Sequence, residues 1–224
     1  MKISTKKSGI KTKSFLFMAG VLFLSSVMFI SCKDDDGSNS QPDLAKWAGT
    51  WNAMDQYLDD AGLNQAWTDG AAHVNNTLSR QDITAERIKA VFKTMLKTDF
   101  KSCVIEGGTM KIYAALDASG SPSDIITYTY KGTIGEGDVA WHSFEGDKAG
   151  DYKYLIAYPV EPGSANAAEH FHFRYGASSF DALTADNMAM WMATVMKQGT
   201  TIPVLAASLA EVIQELPWQY IIQP

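Results

Sequence analysis

The chain has 224 residues, 46% of them hydrophobic and 11% aromatic, enough for one domain with a sizeable core and thin for two. Its formal charge of −6 hides an asymmetry, because the first 31 residues hold five lysines and no acid, while the remainder sets 14 basic residues against 25 acidic ones, a net of −11. A surface of that sign repels phosphate backbones, which argues against nucleic acid as a partner, and attracts divalent cations.

Residues 1–31 read as a targeting segment: a lysine-rich start, an apolar run of about 16 residues from Phe15 to Ile30 that is short for a membrane span, and then Ser31-Cys32. A small residue directly before a cysteine at the end of such a run is the bacterial lipoprotein pattern, with Cys32 as the lipidated N-terminus; a plain secretory signal or an uncleaved anchor is the rival. Residues 32–42, with Asp34, Asp35 and Asp36 among Gly, Ser and Asn, form an acidic tether that cannot bury a core. The tether resembles the acidic export tag of surface lipoproteins in the Bacteroides group, implying an outer-membrane lipoprotein that faces the periplasm or the cell surface; otherwise it is a solvated linker. With Cys32 lipidated only Cys103 remains, so no intrachain disulfide forms, and Cys103 is expected to be a small buried apolar residue.

The domain, 43–224, opens on apolar residues at helical spacing. Trp47, Trp51, Met54 and Leu58 predict a helix over about 44–60. A short helix around 67–76, containing His73, is less clear. Ile88, Val91, Phe92, Met95 and Leu96 predict a helix begun by Thr84 or Asp82, with Glu86 in its first turn. From Ser102 the period becomes two. Cys103–Ile105 and Met110–Tyr113 flank Gly107-Gly108 as a hairpin, and strands follow at 125–130, 139–144, 154–158 and 169–175. Six consecutive short strands imply a meander. Helices are expected at about 181–196 and, after Pro203, at 204–216. The fold class is thus mainly β with flanking helices, a small antiparallel barrel or sheet covered by helices at both chain ends.

One stretch carries candidate chemistry: His170-Phe171-His172-Phe173-Arg174-Tyr175. Side chains alternate on a strand, so His170, His172 and Arg174 share one face and the aromatics the other. Two imidazoles at i and i+2 stand roughly 6–7 Å apart at their Cα atoms and can converge on one ion. The rival is a solvated polar face, but two of only four histidines fall in this stretch. Arg174 disfavours a neighbouring cation unless it points away or binds an anion. His142 is a candidate third ligand from the strand two before, at about 9.6 Å if both rings point inward. There is no Gly-x-Ser-x-Gly elbow, phosphate loop or His-Glu-x-x-His motif. Without a recognisable general base, a zinc-activated water is a weaker reading than metal binding.

Several pieces, in order, resemble the ZinT (YodA) family over roughly residues 44–216: Trp47-Ala48-Gly49-Thr50-Trp51, the helix at Ile88 leading into Val104-Ile105-Glu106-Gly107-Gly108, Phe144-Glu145, Lys153-Tyr154, and His170-Phe171-His172-Phe173 before Gly176. The resemblance implies a lipocalin-like (calycin) barrel that binds zinc in the bacterial periplasm. It also implies zinc ligands at His170 and His172 plus a histidine nine residues upstream, where this chain has Glu161. A carboxylate is a competent zinc ligand, so Glu161 or His142 completes the set. The expected function is an envelope lipoprotein that binds zinc or a similar divalent ion, not an enzyme, and hands it to a metal importer. The alternative is a barrel carrying an apolar small molecule, with incidental histidines.

Overall fold

The structure, a computed structural model, describes residues 44–136 and 140–222. The expected signal segment, Cys32, the tether and Val139 lie outside the described residues. Eight antiparallel strands, each bonded to its sequence neighbour, close into a barrel: β1 (Gly49–Ala53), β2 (Ser102–Glu106), β3 (Thr109–Tyr113), β4 (Asp124–Ile134), β5 (Trp141–Gly146), β6 (Tyr154–Ala157), β7 (His170–Gly176) and β8 (Ala193–Lys197). β1 pairs with both β2 and β8, so no edge remains. The β2–β3 turn is the expected Gly107-Gly108, with φ of 53° and 80°, values that suit glycine at both positions.

The helices α1 (Asn64–Leu78), α2 (Ala85–Met95), α4 (Ile202–Glu215) and short α5 (Trp218–Ile221) pack together, while short α3 (Phe180–Thr184) lies against β6 and β7. Thr84 caps α2, its hydroxyl accepting from Arg87 N at 3.2 Å. The helical stripes meet in one core, where Trp67 and Val74 of α1, Ile88 and Phe92 of α2, and Leu205, Leu209 and Ile213 of α4 pack together. A second core fills the lumen with Trp47, Trp51, Cys103, Phe144, Phe171, Phe173 and Tyr175 among others. Cys103 is fully buried there, as expected.

Two expected helices are strands. Residues 44–60 form a 3-10 turn (Leu44–Trp47), β1, and a second 3-10 turn (Met54–Tyr57). Gly49 at φ 150° breaks the helical path, and the four apolar residues serve different cores: Trp47 and Trp51 face the lumen, Met54 and Leu58 the helical layer. Likewise 181–196 yields only α3, a 3-10 turn at Asp186–Met188, and β8. Ala193, Thr194, Val195 and Met196 are all buried, because β8 closes the barrel on one face and lies under helices on the other. A strand buried on both faces has no alternation to read.

Candidate metal centre

β7 separates the two cores. Phe171, Phe173 and Tyr175 point into the lumen, whereas His170, His172 and Arg174 point outward. The histidines therefore face the helical layer rather than the barrel interior, which corrects the expectation of inward-pointing imidazoles. Arg174, 7% exposed, donates to the carbonyls of Trp191 (2.7 Å), Leu183 (2.8 Å) and Ala189 (3.4 Å) and lies 5.0 Å over the Trp141 ring. Its guanidinium is committed to holding the β7–β8 connection and does not line the cavity beside the histidine pair.

Glu161 reaches the pair by continuing the sheet. After β6 the chain turns around Gly163, and Ser164 N donates to Ala167 O at 2.8 Å. Glu161 and His170 then exchange both backbone bonds, Glu161 N to His170 O at 2.8 Å and His170 N to Glu161 O at 3.2 Å, an isolated antiparallel bridge. Directly opposed residues share a face with their Cβ atoms about 5 Å apart, so the carboxylate lands beside the imidazoles. Glu161 Oε2 stands 3.6 Å from His170 Nε2, and Oε1 stands 3.8 Å from His172 Nε2. One donor atom from each of the three residues lies within 4.8 Å of the others, a grouping that suits a metal ion.

The donor set fits zinc. Ligand atoms about 2.0–2.1 Å from a tetrahedral ion stand about 3.3–3.4 Å apart, a few tenths of an ångström inside the two histidine–carboxylate distances here. The two rings are nearly perpendicular, with centroids 5.0 Å apart. Each presents Nε2 to Glu161 and anchors Nδ1 behind, His170 on Ala168 O at 2.8 Å and His172 on Thr194 Oγ1 at 2.7 Å. Three protein ligands leave a fourth position open.

Electrostatics points the same way. Burial, reinforced by the neighbouring His170, holds the His172 imidazole well below the usual histidine range. Burial also pushes the Glu161 carboxyl up, an effect His170 partly offsets. Both shifts disfavour charge in the metal-free site, and a divalent ion supplies what the carboxylate lacks. The group opens onto a cavity of about 110 Å³ between the sheet and α4, lined by Met54, Phe92, Met192 and Leu209 and by Glu211 and Glu215 of α4. Burial and then the charges of Glu211 and Glu161 push the Glu215 carboxyl up, so like charges crowd a chamber that, among the described residues, no lysine or arginine lines.

His142 is not brought to this group. It lies on the inward face of β5, opposite Ala157, with its ring 5.3 Å from Trp47 and 6.1 Å from Tyr130. His73 sits on α1 beside Thr77, away from the group. Thr194, Ala168 and the α4 carboxylates escape the sequence reading. No alternation marks Thr194, because β8 is buried on both faces, and the expected helix over 181–196 obscured the strand.

Among solved structures, the Zn(II)-bound ZinT-like domain of Streptococcus pneumoniae AdcA is similar to this chain at 20% identity and a TM-score of 0.54, over 79% of this chain and 94% of that one. Zn(II)-bound AdcA from the same species gives 21% and 0.54, over 75% and 35%. At these identities the likeness speaks for the fold. Zinc-binding protein AdcA of Streptococcus pyogenes is 29% identical over 160 residues in a serotype M3 strain and 28% over 158 in serotype M1, matching 67% of this chain. The match spans about 28% of the length of these relatives. Residues 31–202 match the family described as ZinT (YodA) periplasmic lipocalin-like zinc-recruitment, and the chain belongs to that family.

Proposed function

We propose that this protein captures zinc in the bacterial envelope through His170, His172 and Glu161 and passes it to a metal importer. One observation carries the reading: two imidazole nitrogens and a carboxylate, 3.6 and 3.8 Å apart, converge on one cavity with both Nδ1 atoms anchored behind them. Membership of a zinc-recruitment family supports it. The likeness to zinc-binding protein AdcA supports the metal, and the family's zinc-recruitment description is what supports a hand-over to an importer. Two His and one carboxylate favour zinc over calcium or magnesium, which prefer oxygen ligands. The lumen is filled by side chains, so an apolar cargo has less support than a metal.

The reading extends to the chain's organisation: 1–31 as a lipoprotein signal, 32–42 as a tether, and 43–224 as the metal-binding domain, anchored through Cys32 to the outer membrane. Metal content of the purified protein, followed by calorimetric zinc titration of wild type and His172→Ala, tests the site. Stoichiometric zinc lost in the variant supports the reading, and equal zinc uptake by both sinks it. Cys32→Ala should move the protein out of the membrane fraction; unchanged fractionation refutes the anchor.

A further inference from the structure

We infer that Thr194 is a positioning residue whose hydroxyl holds His172 in the tautomer that can accept a metal ion. The inference rests on the zinc reading of Glu161, His170 and His172. Thr194 stands directly opposite His172 in the β7–β8 pair and is fully buried. Its Oγ1 is 2.8 Å from the Met192 carbonyl and 2.7 Å from His172 Nδ1.

A hydroxyl has one proton, and a carbonyl can only accept. The Thr194 proton therefore goes to Met192 O, and toward His172 the hydroxyl oxygen can only accept. The proton of a neutral His172 then sits on Nδ1, leaving a bare lone pair on Nε2 aimed at Glu161. The geometry is rigid from behind as well, because Met192 N donates to Met95 O at 2.7 Å and Thr194 N to Leu96 O at 3.4 Å, at the end of α2.

The other tautomer has a competitor's advantage. With its proton on Nε2, His172 would donate toward Glu161 Oε1, 3.8 Å away, and the metal-binding lone pair would be covered. Glu161 thus pulls the ring toward the unproductive state in the metal-free protein, and Thr194 opposes it. His170 faces the same carboxylate but is anchored on the Ala168 carbonyl, which no side-chain substitution removes. Readiness for metal consequently depends on a replaceable side chain at His172 alone.

The test uses the full chain with Thr194→Val, which keeps the shape and loses the hydroxyl, and Thr194→Ser, which keeps the hydroxyl. Zinc affinity is measured by competition with a chromogenic chelator. The His172 tautomer is read from the imidazole nitrogen resonances of the metal-free protein, and melting temperature reports the fold. The expected result is a 10- to 100-fold loss of zinc affinity in Thr194→Val, the range typical of groups that orient metal ligands. The Nε2-protonated form should appear in that variant's spectrum, and Thr194→Ser should restore both measurements. A Thr194→Val protein that binds zinc like wild type, or a wild-type His172 already protonated on Nε2, overturns the inference. Should Thr194→Val not fold, Thr194→Ser and the wild-type resonances still decide. A wild type that takes up no zinc overturns the metal-site reading and this inference together, whereas zinc binding that needs His172 but ignores Thr194 overturns this inference alone.

Discussion

The two faces of β7 carry the same kind of alternation and do opposite work. Inward, Phe171, Phe173 and Tyr175 join the packed lumen, with ring centroids 5.4 and 5.7 Å apart along the strand. Outward, His170 and His172 meet Glu161 beside a cavity that, among the described residues, no lysine or arginine lines. The lumen face lowers free energy by burial and close packing, whereas the outward face keeps a buried carboxylate and two imidazoles that a fold selected only for stability would replace. The candidate ligands on β7 thus lie on its outward face, and the aromatic packing lies on the inward one.

Substitutions on each side should separate the two. Phe173→Ala, at a fully buried ring, is expected to cost about 3–5 kcal/mol, a large part of a typical domain's stability. Its denaturant midpoint should fall steeply while any folded fraction still binds zinc. His170→Ala and His172→Ala should abolish tight zinc binding in calorimetry and leave the metal-free melting temperature close to wild type. If the histidine variants unfold, or Phe173→Ala melts like wild type, the division between the faces is wrong.

Glu161 sharpens the comparison, because it belongs to the outward face and its burial raises its pKa. Glu161→Ala should weaken zinc by about 3 kcal/mol, roughly 100-fold in Kd, the scale of removing one partner from a buried charged set. Glu161→His should recover tight binding selective for zinc. A group whose folded pKa lies above its unfolded value contributes stability only at low pH and loses it as pH rises through the folded value. At neutral pH the raised Glu161 carboxyl is therefore a burden on the metal-free fold. Glu161→Gln should raise the metal-free melting temperature by about 2 °C at pH 7, the shift expected of somewhat under 1 kcal/mol in a domain this size. His172 has the opposite sign: its folded value is depressed, so its contribution is complete above about 6.5 and is lost as pH falls below that. Zinc affinity should likewise fall in acid, since both imidazoles must be neutral to bind. A calorimetric affinity that is flat from pH 7 to 5 would point to a carboxylate-only site.

What the sequence made legible follows the same division. The central meander was readable because β2 to β7 alternate or sit between glycine-rich turns, and the histidine pair because its spacing puts both rings on one face. β1 and β8 were not. Trp47, Trp51, Met54 and Leu58 have helical spacing but are shared between two cores, and Ala193 to Met196 is buried on both sides. Both are the strands that close the barrel, so their state is decided by long-range pairing that no local period records. Glu161 was reachable through the family's spacing together with the turn at Gly163. Thr194 was hidden because the strand that carries it was.

The smallest expected effect is at His142, and it discriminates between the two sides of the sheet. His142 points into the barrel, with Trp47 and Tyr130 against its ring, and burial, together with the charge of Lys46, lowers its pKa. Its Nδ1 is buried with no hydrogen-bond partner among the described residues. Reaching the outward triad would require the side chain to pass through the sheet, since β5 and β7 present His142 and His170 on opposite faces. His142→Ala should therefore leave zinc affinity within about twofold of wild type, under the ±0.5 kcal/mol typical of positions outside a binding site. His142→Phe keeps the aromatic contacts and removes an unpaired polar atom whose desolvation is otherwise uncompensated, so stability should be unchanged or slightly raised. Should His142→Ala destroy zinc binding while Glu161→Ala leaves it intact, the ion binds from the lumen side, and the assignment of the outward face fails.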